Sequence, residues 1–190
     1  MRVVIAGVIG GIVMFIWGAV AHMALPIGEM GVKVPTQQQA VLDAIGPTTA
    51  GEGVYMYPSV GPETMKDAAA MQKFAGETRG KPYAFVVYQP GGNPIMQSMV
   101  PNLVKQLVTC ILAALVAAWV LSLGAWGFAR RVMVAGAMAL FGWISLGVPY
   151  WNWFMFPSSF TIGSLLEQVI GWLIAGAAMA WWLGRRERAR

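Results

Sequence analysis

Six polar side chains stand at the ends of long apolar runs in this chain: His22, Lys105, Gln106, Asn152, Glu167 and Gln168. A carboxylate at membrane depth is costly unless it is paired or neutralised, so Glu167 calls for a partner, and His22 and Lys105 are the cations expected at the same level. Two chemistries follow. A polar lock would fix the order of helices near the membrane interface. A functional site would pass a proton between Glu167 and His22, or bind a headgroup or small ligand. The lock is the simpler reading, because polar contacts between membrane helices are common and contribute only about 0.6 kcal/mol on average.

Other chemistries find little support. One histidine cannot supply a multi-histidine metal site, and a single cysteine, Cys110, excludes an intramolecular disulfide and a cysteine-based metal centre. The 13 methionines suggest Cu(I), which favours thioethers, but the closest grouping is Met96-x-x-Met99 and scattered methionine more often fills packing gaps. Gly91-Gly92 follows a predicted strand without a GKS/T or GxGxxG context, so it reads as a turn rather than a phosphate loop. No serine-histidine-aspartate arrangement is visible. The expectation is a chain without metal or cofactor.

The elements that position these residues are membrane helices. The chain is 57% hydrophobic and only 11% charged, too apolar for an ordinary water-soluble domain of 190 residues. Its net charge of +5 does not point to nucleic acid, because the C-terminal residues 185–190 hold four Arg against one Glu. Basic clusters of this kind are expected at the cytoplasmic end of a membrane helix. Four spans are predicted at residues 3–25, 102–123, 132–149 and 161–184. The first is too long for the apolar core of a signal peptide, despite the small-x-small site at Ala19-Val20-Ala21, and is read as an uncleaved helix. It carries Gly7, Gly11 and Gly18 on the face that also bears His22, and Gly171 shares a face with Glu167 in the last span. These glycines are expected to let helix backbones approach closely.

Residues 26–101 are richer in charge, Gly, Pro and Gln and contain no run long enough to span. The capping pattern at Thr36 to Gln39 predicts a short helix ending at Gly46, residues 53–57 a strand, 62–75 a second helix and 83–88 a second strand. Two strands alone are marginal, so residues 29–34, another subunit or the membrane helices are expected to complete the sheet. The fold class is therefore a mainly α membrane protein, a four-helix bundle with a small α+β extracytoplasmic domain between helices 1 and 2.

Placing both termini in the cytoplasm puts Arg2, Arg130-Arg131 and the basic tail 185–190 inside, and leaves the aromatic connection 150–160, free of Lys and Arg, outside. In a Gram-negative cell the inserted domain would then be periplasmic and the membrane the inner one. In layout the chain resembles the claudin-like architecture, four helices with a strand-containing segment after the first. It lacks that family's tryptophan motif and cysteine pair, so the resemblance implies arrangement alone. The expected function is a non-enzymatic scaffold or accessory subunit embedded in membrane lipid, whose outer domain binds another membrane protein or a second copy. The alternative is a small enzyme or carrier for a lipid or other hydrophobic ligand that uses the polar cluster.

Overall fold

The computed structural model describes residues 1–185, so of the basic tail only Arg185 is included and 186–190 lie outside the described residues. Among the described residues four helices are long and apolar enough to cross a membrane, Arg2–Met23, Val100–Ser122, Phe128–Phe154 and Ser158–Gly184. They make this a mainly helical membrane protein, with a small sheet of two strands. The chain divides into two compact units, Met1–Lys33 with Ser98–Arg190, and Val34–Gln97.

In the first unit α1 (Arg2–Met23) packs against both α5 (Val100–Ser122) and α8 (Ser158–Gly184). Small residues permit the contact. A Cβ on Gly11 would lie 2.5 Å from the Ile111 Cα, and one on Gly7 would lie 2.8 Å from the Leu115 Cα, so both glycines abut the α5 backbone. Gly10, one residue off that row, faces Met179 of α8 instead. Gly171 of α8 meets Trp17 and Met14 of α1. Gly18 differs from expectation, with open space around it. At about 100° per residue Gly18 lies between Gly7 and Gly11 around the helix, so the open space beside it reflects divergence of the helices at its level and not rotation of its face. Ala6, Ala114, Ala117, Ala118 and Ala135 fill the centre with Leu121, Met179 and Leu183.

The third span departs most from the sequence expectation, which ended it at Pro149 and placed an aromatic loop over 150–160. Instead α6 (Phe128–Gly142) continues through a π-helical turn, Trp143–Gly147, into α7 (Val148–Phe154). Proline inside a regular helix removes an N–H and clashes with the carbonyl four residues back. Here the Val148 N–H reaches back five residues to the Trp143 oxygen, and the widened turn lets the helix run past Pro149. The true connection is three residues, 155–157, turned by Met155 in the left-handed region at φ 57°. Ser158 rather than residue 161 starts α8. Arg131, expected in a basic loop, is a buried residue of α6 whose Nε donates to the Leu121 carbonyl at 3.3 Å and ties α6 to the end of α5.

The second unit contains α2 (Gln38–Ile45), β1 (Gly53–Tyr57), α3 (Pro62–Lys66), α4 (Ala68–Thr78) and β2 (Ala84–Tyr88). The strands pair antiparallel, from Gly53 opposite Tyr88 to Tyr57 opposite Ala84. Residues 29–34 form no strand and turn through Gly31, whose φ of 82° suits glycine. Thr36 does not cap α2, since Gln37 holds that position without a side-chain bond. The single helix expected over 62–75 is two. Asp67 breaks it by accepting from the N–H groups of Ala69 at 2.8 Å and Ala70 at 3.1 Å, which caps α4 and leaves Asp67 itself extended. One sheet face is anchored by tyrosine hydroxyls, with Tyr55 donating to the Gly51 carbonyl at 3.0 Å and Tyr57 within 3.3 Å of Thr48 Oγ1. The other face carries Val54, Met56 and Val87 in the open, with Val54 directly opposite Val87. No residue of Val34–Gln97 is buried.

Candidate functional site

The last turn of α1 brings His22 beside α8. The Trp17 indole N–H donates to the Glu167 carbonyl at 2.9 Å, and Gly171 leaves room for that ring, so α1 and α8 are held in register one turn from His22. Beyond α1 the chain folds back on itself: the Gly28 N–H donates to the Ala21 carbonyl at 3.0 Å, and Gly28 lies against the His22 ring where a Cβ would collide. Gly163 of α8 accommodates the same turn, since a Cβ there would be 2.8 Å from the Ile27 oxygen.

This places His22 between two acids. Its Nε2 is 3.4 Å from Glu167 Oε1, and its Nδ1 is 3.6 Å from Glu29 Oε1. These are charge contacts, not hydrogen bonds, and an imidazolium there would attract both carboxylates and so link α1, the following turn and α8. The side chains of His22 and Glu29 are about half exposed or more, while that of Glu167 is 23% exposed, which makes Glu167 the inner member. Each carboxylate meets a different ring nitrogen, so one metal ion could not use both with the imidazole. Among the described residues no metal-holding group of three His, Cys, Asp or Glu is formed.

Of the six predicted site residues, Glu167 and His22 come together and the others do not join them. Lys105 is exposed on α5 with no ion pair to Glu167 among the described residues. Gln106 makes only a long contact within its own helix, Nε2 to Cys110 Sγ at 3.6 Å, and Asn152 is exposed on α7. Gln168 turns to the other side of α8 and lines cavities there. Glu29 was missed as a site residue. Its signal was Pro26 and Gly28 directly after the helix, turn formers that bring an acid seven residues from His22 back over it.

In a double-mutant cycle combining Glu167→Gln with His22→Asn, unfolding in mixed micelles is expected to give a coupling of about 0.6 kcal/mol. Additive losses would remove the pair as a link between α1 and α8.

The second feature is a pair of cavities between α8, α5 and the α6–α7 rod. One, of about 440 Å³, is walled by Trp143, Leu146, Tyr150, Phe156 and Phe160. The other, of about 330 Å³, is walled by Ala113, Val116, Ala135, Met138 and Trp172. Gly142 and Gln168 line both.

Compared with known proteins, the chain matches no family model, no curated protein and no solved structure. Its function is therefore read from these sites.

Proposed function

We propose that the chain is a non-enzymatic scaffold or accessory subunit of a bacterial inner membrane, whose unit Val34–Gln97 lies in the periplasm and binds a partner protein or a second copy. The carrying observation is the uncovered apolar sheet face, with Val54 62% and Val87 73% exposed in a unit that buries none of its residues. A two-stranded sheet is marginal alone and gains most from a partner that covers such a face. Native mass spectrometry of the full chain extracted without crosslinker is expected to give a defined complex. A clean monomer with no companion would overturn the reading.

Four helices forming one bundle with both termini in the cytoplasm complete the proposal. Supporting this, Arg2, Ser122, Arg131 and Leu183 border one cavity, so four helix ends meet at an arginine-bearing end. There Arg130 lies over the Trp126 ring at 5.7 Å and Arg185 over the Trp181 ring at 4.7 Å, the basic and aromatic pairing of a cytoplasmic interface. In a Cys110→Ser background, Gly91→Cys is expected to react with an impermeant maleimide from the periplasm, and Gly127→Cys only after the membrane is opened. The reverse pattern would invert the topology.

A second reading, a small carrier or enzyme for a hydrophobic ligand, is favoured by the paired cavities on α8. The pair Glu167–His22 would then serve as the polar cluster on the adjoining face of the same helix.

A further inference from the structure

We propose that the paired cavities form a binding site for a tailed quinone, a flat carbonyl-bearing ring on an aliphatic chain. This rests on the carrier reading and is independent of partner docking. Each cavity lies within the range of about 300–1,000 Å³ usual for small-molecule sites, and the two differ in character. The first is aromatic. Tyr150 and Phe156 pack with ring centroids 5.4 Å apart, and Phe156 and Phe160 at 5.3 Å, so its wall offers edges and faces to a conjugated ring. The second is lined chiefly by Ala, Val and Met, which suits a flexible aliphatic tail. The π-helical turn contributes Trp143, Leu146 and Gly147 to the aromatic wall, a use consistent with the placement of such turns at functional sites.

The polar groups narrow the ligand. The Trp143 N–H is satisfied by the Thr161 carbonyl and Ser164 Oγ, both at 3.1 Å, and the hydroxyls of Ser164 and Thr161 donate to backbone carbonyls at 2.8 and 3.2 Å. Gln168 is different. It lines both cavities, and its amide makes no hydrogen bond among the described residues. Gln168 is an exposed residue about 15 Å along α8 from Ser158 at about 1.5 Å per residue, so in a bilayer its amide would face lipid and not water unless a ligand meets it. Its two N–H donors at the junction call for an acceptor oxygen on the ligand. Among the described residues no Lys or Arg lines either cavity, so an anionic headgroup would find no counter-charge, and two side-chain groups without a protein partner there, the Gln168 amide and the Tyr150 hydroxyl, are too few for a sugar. A neutral ring with a carbonyl, joined to a tail, meets each condition.

Gly142 supplies the test, because a Cβ there meets nothing within 4 Å and the first atom of a larger side chain enters the junction without striking the protein. Full-length protein in nanodiscs would be titrated with decyl-substituted benzoquinone, reading tryptophan quenching, with unfolding profiles to confirm that each variant is folded. The expected result is saturable quenching, weakened about tenfold by Gln168→Leu and abolished by Gly142→Leu. Decylbenzene, with the same tail and no carbonyl, should not compete. Equal competition by decylbenzene would overturn the quinone assignment. Saturable binding untouched by either substitution would overturn this site while leaving the carrier reading standing. Quenching that never saturates in the unaltered protein, with no bound hydrophobic molecule by native mass spectrometry, would overturn both.

Discussion

Gly11→Leu is expected to separate α1 from α5 and to destabilise the membrane unit by about 3 kcal/mol, the upper part of the usual range for overpacking. The atoms that a Cβ would meet decide the size. At Gly11 they include the Ile111 Cα at 2.5 Å and its backbone nitrogen at 2.7 Å, which cannot rotate away as the tip of a side chain can. The helices must therefore move apart, and the loss of close packing extends to Gly7 above Leu115. In lipid no hydrophobic force between helices compensates, because tails solvate the separated faces as well as leucine does. Gly18→Leu on the same helix is the control. Its surroundings are open, so its effect should stay within about 0.5 kcal/mol. Reversible unfolding of both variants in mixed micelles provides the comparison, and equal effects at positions 11 and 18 would refute close packing at the α1–α5 contact.

The same pair of glycines shows what the sequence makes legible. Hydropathy and length suffice to find four apolar helices, because a span needs only enough consecutive apolar residues and a backbone bonded within itself. Gly7 and Gly11 were readable as packing residues because their spacing of four puts them on one face. Gly10 was not, since choosing between two faces requires knowing that α1 has neighbours on both sides. The end of the third span was hidden for a related reason. Pro149 is a strong local stop signal, and only the five-residue bond from Val148 to Trp143 overrides it. No glycine marks the real turn, which falls on Met155.

The candidate site was half legible. An acid in an apolar helix demands a partner, and His22 is found where depth placed it. Depth is a single coordinate, however, and it does not say which helix faces meet, so Lys105, exposed on α5, was named without a reason to face Glu167. The cavities were invisible from sequence because they depend on how far α5 and the α6–α7 rod diverge while both remain beside α8. Gln168 gave a partial signal as an amide next to the acid, yet a residue one step along a helix points about 100° away and belongs to a different surface.

Joint replacement of Val54→Asp and Val87→Lys is expected to dissociate the proposed complex, weakening association a hundredfold or more while the unit keeps its fold. The two positions are direct partners across the β1–β2 ladder, so opposite charges there form a favourable cross-strand pair. Both valines are already exposed, and the change therefore removes little buried apolar surface from the isolated chain. In a complex that covers this face, the same two charges would be desolvated within an apolar patch. Central interface residues commonly cost 2 kcal/mol or more each when replaced, and about 2.8 kcal/mol already corresponds to a hundredfold. The tyrosine hydroxyl contacts at Gly51 and Thr48 lie on the opposite face and should persist, so circular dichroism and the unfolding profile should change little. Native mass spectrometry should then show the complex replaced by monomer. A complex that survives both substitutions on a folded chain would show that this face is not where association occurs.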